Sequence, residues 1–499
     1  MKLPASYYNL ISYIGVTVSS ISIFMIIFML ILTSVVGETN AYIGIIIFLI
    51  LPILLVIGLV LIPIGMWNRT RKAKKSPETL MERRLILNLN NKTHLNAAII
   101  FIFGTLLFVL LTGVGSYQLY HYSESVEFCG KVCHEAMKPE YVAYQNSSHA
   151  KVTCAQCHIG SGAEWFVKAK ISGMYQVYSV LANKVPRPIP TPIENLRPAR
   201  ETCEKCHWPE KFYENSLRSE KYFIADENNT EWDIHLEMKL GPKVSSMGLS
   251  EGIHWHINQN IKIEYAYTDK KREVIPWVKY INLETGDTII YNDQNDLLGE
   301  GALDTLETRT MDCMDCHNRP AHNYLTPSKF MNAAIANGTV PKELPEIKQV
   351  SMGLLHAQYT NTDSALQTIS NELSSYYLEN YPEIIKEKPE LLTKAIAGVI
   401  KGFNANIFPE MNVTWDAYPD HIGHMEFNGC FRCHNNTHES ASGKIISRDC
   451  KLCHSIIAQG EADSLNVAYY NESLEFHHPI DIDGAWKEAL CSECHRYLY

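Results

Sequence analysis

The fourteen cysteines of this 499-residue chain fall into seven pairs, and a histidine follows the second cysteine of every pair. The pairs are Cys129 and Cys133 with His134, Cys154 and Cys157 with His158, Cys203 and Cys206 with His207, Cys313 and Cys316 with His317, Cys430 and Cys433 with His434, Cys450 and Cys453 with His454, and Cys491 and Cys494 with His495. Two thiols so spaced can add to the two vinyl groups of a haem while the adjoining histidine reaches the iron. Zinc would join pairs into four-ligand sites and gives no reason for a histidine after each one. Disulfides give none either. With only 20 histidines in the chain, seven such placements point to seven covalently bound haems and to electron transport. The first pair has three intervening residues instead of two, and Gly130, lacking a Cβ, can absorb the extra residue.

A low-spin haem needs a second axial ligand. Six histidines outside the motifs are placed to supply it: His149, one of His254 and His256, His322, His424, His438 and His478. Met137, four residues after Cys133, competes with His134 for the first iron. Methionine ligation raises a haem's potential and bis-histidine ligation lowers it, so the first haem is the expected electron entry. His121, His235, His356, His421 and His477 stand in reserve, while His94 falls on the far side of the last apolar stretch.

That stretch is one of three that precede the first motif, roughly Leu10 to Val36, Tyr42 to Met66 and Ala97 to Gly115, each long enough to span a bilayer. The first is too long for a cleavable signal and is soon followed by a second, so it is expected to remain as an anchor. Residues 67–96 carry Arg69, Arg71, Lys72, Lys74, Lys75, Arg83, Arg84 and Lys92, which places that loop in the cytoplasm. This basic run is a topology signal, and no nucleic-acid partner is expected. Everything after Tyr117 is then delivered to the outer face, the oxidising side on which such thiols meet haem. None of the three stretches contains a histidine, so no haem is expected within the membrane.

The expected fold is a mainly α multihaem cytochrome c with little regular structure around the haems, three N-terminal transmembrane helices and a small antiparallel β insert. Residues 1–120 form the anchor, 121–327 a domain with haems 1–4, 328–420 a helical spacer and 421–499 a trihaem cluster. The β insert covers about 215–300: Ile261, Ile263, Tyr265 and Tyr267 alternate with polar neighbours, and a run from Val278 to Tyr291 turns at Glu284 to Asp287. In the spacer, Leu366, Ile369, Leu373 and Tyr376 share one helical face, with Asp363 or Ser364 as cap.

From Phe128 to about His322 the chain resembles the NapC/NirT/NrfH family of membrane-anchored, quinol-oxidising cytochromes. The resemblance is carried by the first motif with Met137, by Glu140-Tyr141 and His149, by Cys154-Ala-Gln-Cys-His158 with Trp165 and Lys168, and by Cys313-Met-Asp-Cys-His-Asn-Arg-Pro-Ala-His322. More of the chain is similar to heptahaem inner-membrane cytochromes of the ImcH type. That likeness rests on Asn195-Leu-Arg-Pro-Ala-Arg-Glu-Thr-Cys203, Cys206-His-Trp-Pro-Glu-Lys-Phe212, Gly252-Ile-His-Trp-His256 and Gly429-Cys-Phe-Arg-Cys-His434. The resemblance implies a multi-pass protein of the inner membrane, its haem domain on the periplasmic side. It implies oxidation of menaquinol from the lipid pool at a pocket lined by Lys168, with Lys170 second. Small members of the family have an acidic residue two turns beyond the lysine, where this chain has Tyr175 or Val177; Glu140 and Glu164 are the carboxylates on hand. Electrons would leave for periplasmic c-type cytochromes or a larger membrane redox complex. A terminal reductase with an open iron, or the same wire run backwards as a quinone reductase, are the competing expectations.

Overall fold

The computed structural model describes residues 5–36, 50–74, 89–131, 134–160, 163–193, 198–208, 212, 214–241, 252–299 and 301–497. They form two compact units, one of residues 1–134 and 153–155, the other of residues 135–152 and 156–499.

The first unit holds three apolar helices, α1 (Leu10–Val36), α2 (Leu51–Lys74) and α3 (Lys92–Ser123), each apolar enough over at least 20 residues to cross a membrane. Helices α1 and α2 pack antiparallel through small residues. A Cβ placed on Gly15 would lie 2.6 Å from the Gly58 carbonyl oxygen, and one on Gly65 would lie 2.6 Å from Ser12 Oγ. The backbones touch, as they do where lipid-embedded helices gain contact through small side chains. Ser12, Ser19 and Ser22 are buried in this seam, and Ser12 Oγ donates to the Ile62 carbonyl at 3.1 Å. Helix α3 outruns the expected 97–115 at both ends, because Asn91 caps it by accepting from the Thr93 amide and its polar flanks sustain the helix beyond the apolar core. Its apolar side chains face outward, Phe101 and Phe103 among them. The first eight residues expected in the second span, and residues 75–88 of the basic loop, lie outside the described residues.

In the second unit, α4 (His134–Gln145) and α5 (Ala163–Leu181) flank the second motif. Two antiparallel sheets follow. One has the order β1-β2-β8-β9, formed by Asn215–Phe223, Glu231–Lys239, His454–Glu461 and Asn466–Val467. The other has the order β6-β3-β4-β5-β7, with β3 Ile261–Tyr267, β4 Trp277–Asn282, β5 Thr288–Asp293, β6 Glu307–Thr310 and β7 His438–Ser440. The insert is therefore not self-contained. Strand β2 pairs with β8 and β5 with β7, so both sheets are completed by chain from beyond residue 430.

The helical segment comprises α6 (Pro327–Ala336), α7 (Ile347–His356), α8 (Thr362–Asn380), α9 (Pro382–Glu387) and α10 (Pro389–Asn406). Its core includes Met331, Leu344, Ile347, Ile369, Leu373, Val399 and Phe403, all fully buried. On α8 the buried face is Ala365, Ile369, Leu373 and Tyr377, so at the helix ends it differs by one residue from the expected Leu366 and Tyr376. The cap is Asn361, whose side chain accepts from the Ser364 amide at 2.8 Å. Asn229, in the β1–β2 turn with φ 47°, ties the first sheet to these helices. Its Nδ2 donates to the carbonyls of Lys342 and Leu344, and its Oδ1 accepts from the Lys348 amide.

Replacing Asn229 with Ala removes three buried hydrogen bonds and puts a Cβ without a local polar partner at positive φ. The expected loss is about 3 kcal/mol, read as a lowered midpoint of thermal or denaturant unfolding.

Candidate haem sites

Each described motif sits on a short closed turn. Cys154–His158, Cys313–Cys316 and Cys491–His495 are single helical turns. The histidine amide donates to the carbonyl of the first cysteine at 2.8 Å for His207 and His317 and at 3.0 Å for His434. Positions i, i+3 and i+4 share a helical face, so this closure gathers two sulfurs and an imidazole around one point.

Five motif histidines each face a histidine from elsewhere. Ring centres are 6.0 Å apart for His207 and His149, 6.1 Å for His158 and His322, and 5.8 Å for His434 and His256. They are 6.2 Å apart for His454 and His424 and 6.0 Å for His495 and His478. A metal between two imidazoles, with bonds of about 2.0 Å and about 1.1 Å from nitrogen to ring centre, separates the centres by about 6 Å. The gaps fit an iron. A sixth motif histidine, His317, lies near enough to His254 that a proton on one ring disfavours a proton on the other.

The orientation of these rings follows from their second nitrogens. Nδ1 donates to the Pro320 carbonyl in His149 (3.1 Å), to Leu240 in His254 (3.1 Å) and to Ile253 in His256 (2.9 Å). In His322 it donates to Glu140 (3.1 Å) and in His478 to Ile480 (2.7 Å). Such bonds fix the tautomer that keeps a lone pair on Nε2. His424 is held differently, stacked on Phe431 with ring centres 4.3 Å apart. Burial pushes the pKa of His158, His254, His256, His317, His322, His424, His434, His454 and His495 down, so the rings stand neutral. Burial also pushes the Cys433 and Cys453 thiols up to about 11, which suits neutral sulfur rather than metal-bound thiolate.

His438 is a correction. It is fully buried, but its Nδ1 bonds Asn435 Oδ1 at 2.9 Å and its Nε2 donates to the Ile275 carbonyl at 2.7 Å. With both nitrogens engaged it has no lone pair left for iron and serves as a core cross-link. Of the expected His254 and His256, His256 faces His434 and His254 lies near His317. Of the reserves, His235 bonds Ser219 Oγ at 2.7 Å and His356 bonds the Met352 carbonyl at 2.8 Å, while His121 packs on Tyr117 and Tyr120 and His477 near Trp232. Around the first motif, Cys133 and the His134 side chain lie outside the described residues. Cys129 hydrogen-bonds Cys154, and Met137 is half-buried on α4.

Lys168 is exposed on α5, its Nζ 5.0 Å from the Trp165 ring centre. Glu140 is mostly buried and paired. Its carboxylate lies 3.4 Å from Arg319 Nη2 and 3.0 Å from His322 Nδ1, and Arg319 also donates from Nε to the His322 carbonyl at 2.8 Å. The Glu164 side chain lies outside the described residues.

One cluster escaped the sequence reading. Asp315, between the cysteines of the fourth motif, is buried and accepts from Tyr265 OH at 2.6 Å, Arg309 Nε at 2.7 Å and Arg272 Nη1 at 3.2 Å. Arg432, between the cysteines of the fifth motif, donates from Nη2 to the Asp315 carbonyl at 2.7 Å and from Nη1 to that of Arg272 at 2.8 Å. His421 completes the group, its Nδ1 on the same Asp315 carbonyl at 3.2 Å. Five of the six Cys-x-x-Cys gaps carry a charged residue, so the sequence held no signal that set Asp315 and Arg432 apart.

Apolar spans together with repeated haem-attachment turns define a membrane-anchored, electron-carrying cytochrome c. The N-terminal region of the NapC/NirT cytochrome c family matches residues 90–189. The chain is also 40% identical to the cytochrome c-type protein ImcH of Geobacter sulfurreducens over 498 residues, 99% of this chain and 96% of that protein. It belongs to this family of NapC/NirT-type cytochromes c. No solved structure matches it.

Burial, then the charges of Arg432 and others, pushes the pKa of His421 down to about 3. An unfolded chain takes up that proton near about 6.5, so between these values the unfolded state binds more protons. Stability is full above about pH 6.5 and falls with pH towards 3, by at most about 1.4 kcal/mol per unit. His421→Gln should flatten this slope in melting curves recorded from pH 7 to pH 4.

Proposed function

We propose that the protein is a quinol dehydrogenase of the cytoplasmic membrane. It takes electrons from menaquinol through seven covalently bound haems to periplasmic cytochromes, in anaerobic or extracellular respiration. The observation that carries this reading is the setting of Lys168. Helix α5 exposes Val167, Ile171, Met174, Tyr175, Tyr178 and Leu181, an apolar face recurring at helical spacing as in helices that lie in a bilayer interface. Lys168 shares the side of Ile171 and Tyr175, at i+3 and i+7. An ammonium in such a surface can donate to a quinol oxygen while the apolar neighbours hold the ring.

The chemistry supplied by the haems is the acceptance of the two electrons one at a time. The chain's own residues do the rest. The cysteines hold each haem, while His158, His207, His317, His434, His454 and His495 face His322, His149, His254, His256, His424 and His478. Glu140, with Arg319, positions His322. Because five of these motif histidines, all but His317, face a second imidazole at about 6 Å, an oxyanion would find no vacant coordination position there. That favours a wire over a terminal reductase.

In lipid, anaerobic menaquinol analogue should reduce the purified protein rapidly, as followed by haem absorbance. Lys168→Ala should slow this by about tenfold or more and leave reduction by dithionite unchanged. Equal rates for the two proteins would remove Lys168 from the pocket, and no reduction by any quinol would overturn the function.

A further inference from the structure

An axial imidazole is tuned through the nitrogen turned away from its iron. A carbonyl that accepts the Nδ1 proton makes the ring more basic, which favours the ferric state and lowers the potential. The histidine pairs with ring centres about 6 Å apart differ in this respect. In the fifth motif's pair both rings are bonded, His434 Nδ1 donating to the Ser447 carbonyl at 2.8 Å and His256 Nδ1 to that of Ile253 at 2.9 Å. The pairs of the second, third and seventh motifs have such a bond from His322, His149 and His478.

The sixth motif's pair has neither. Nδ1 of His454 and Nδ1 of His424 are both sealed from solvent with no hydrogen-bond partner among the described residues. His424 Nδ1 lies near its own carbonyl without bonding it. Charge acts in the same direction. Lys239 is held beside this motif, its Nζ donating to the Lys451 carbonyl at 2.6 Å and its amide to the Cys453 carbonyl at 2.8 Å. A cation so placed favours the less positive ferrous state. At the fifth motif the guanidinium groups of Arg432, Arg272 and Arg309 share one cluster with the carboxylates of Asp315 and Asp312, which offset them.

The fifth and sixth centres are neighbours. Phe431, between the cysteines of the fifth motif, stacks on His424 at 4.3 Å and 14°, and Ser447, which accepts from His434, lies three residues before Cys450. The seventh motif reaches the fifth as well, since Ser492 Oγ donates to Asn428 Oδ1. Position alone therefore does not choose where an electron goes from the fifth centre.

We propose that the sixth centre stands above the fifth and the seventh in potential, so that electrons leaving the fifth run downhill to the sixth and collect there. One electron leaves the iron held by His434 and His256, which becomes ferric, and enters the iron held by His454 and His424, which becomes ferrous. No bond breaks and no proton moves. This gives the proposed quinol dehydrogenase its outward direction and rests on that reading for the haems at these sites.

The test is a mediated redox titration of the full-length, haem-loaded protein in lipid, with the low-spin ferric signals followed by electron paramagnetic resonance. His256→Ala, His424→Ala and His478→Ala each turn one low-spin signal high-spin and so identify the fifth, sixth and seventh centres. Methionine at the same positions, which keeps a ligand and raises one midpoint, makes the assignment where an alanine variant fails to fold. In the parent protein the sixth signal should be reduced first. Its equilibrium with the fifth should favour the sixth by about tenfold, or about 59 mV for one electron. Lys239→Gln should shrink that preference by about threefold and leave the fifth midpoint in place. A sixth midpoint equal to or below either neighbour's would overturn the proposal, and an undiminished preference in Lys239→Gln would overturn the part assigned to charge. Mediators stand in for quinol, so failure of menaquinol analogue to reduce the protein defeats the functional reading and leaves the order of midpoints readable.

Discussion

Much of the larger unit answers one geometric demand, that an imidazole stand about 6 Å from each of five motif histidines. Backbone carbonyls meet that demand. Pro320, Leu240, Ile253, Glu140 and Ile480 each accept from the Nδ1 of a facing ring, so loops with no other regular structure are placed by a hydrogen bond at their critical residue. Strands β2, β3 and β4 and the helical segment supply the rigid surfaces from which those loops hang.

Charge is handled with the same economy of elements. Asp315 would be an intolerable buried anion alone, yet Tyr265, Arg272 and Arg309 surround it. Arg432 spends its guanidinium on carbonyls of Asp315, Arg272 and Gly429. The burial of Tyr265, and then the carboxylate beside it, holds the phenol proton in place. Removing any one partner leaves another buried group unmatched, which makes this cluster a clamp rather than a set of independent contacts.

The attachment motifs were legible because covalent chemistry imposes a spacing that no solvent-exposed loop needs. The facing histidines were legible only as a pool. What separates His256 from His438 is the occupation of Nε2, and for His438 the partner is Ile275, 163 residues away. The same distance problem hid β7 and β8, whose pairing partners lie in the segment read as a self-contained insert. On α8 the periodicity gave the correct helix but not the correct ends of its buried face, because Tyr376 turns its hydroxyl to Glu346 while Tyr377 enters the core.

Cys316 and Cys433 are both only partly accessible, and Arg432 is bonded across their two motifs. A maturation enzyme that joins porphyrin to these sulfurs needs the loops apart. The side chain that sits between two cysteines thus couples the shape of one attachment loop to that of the next.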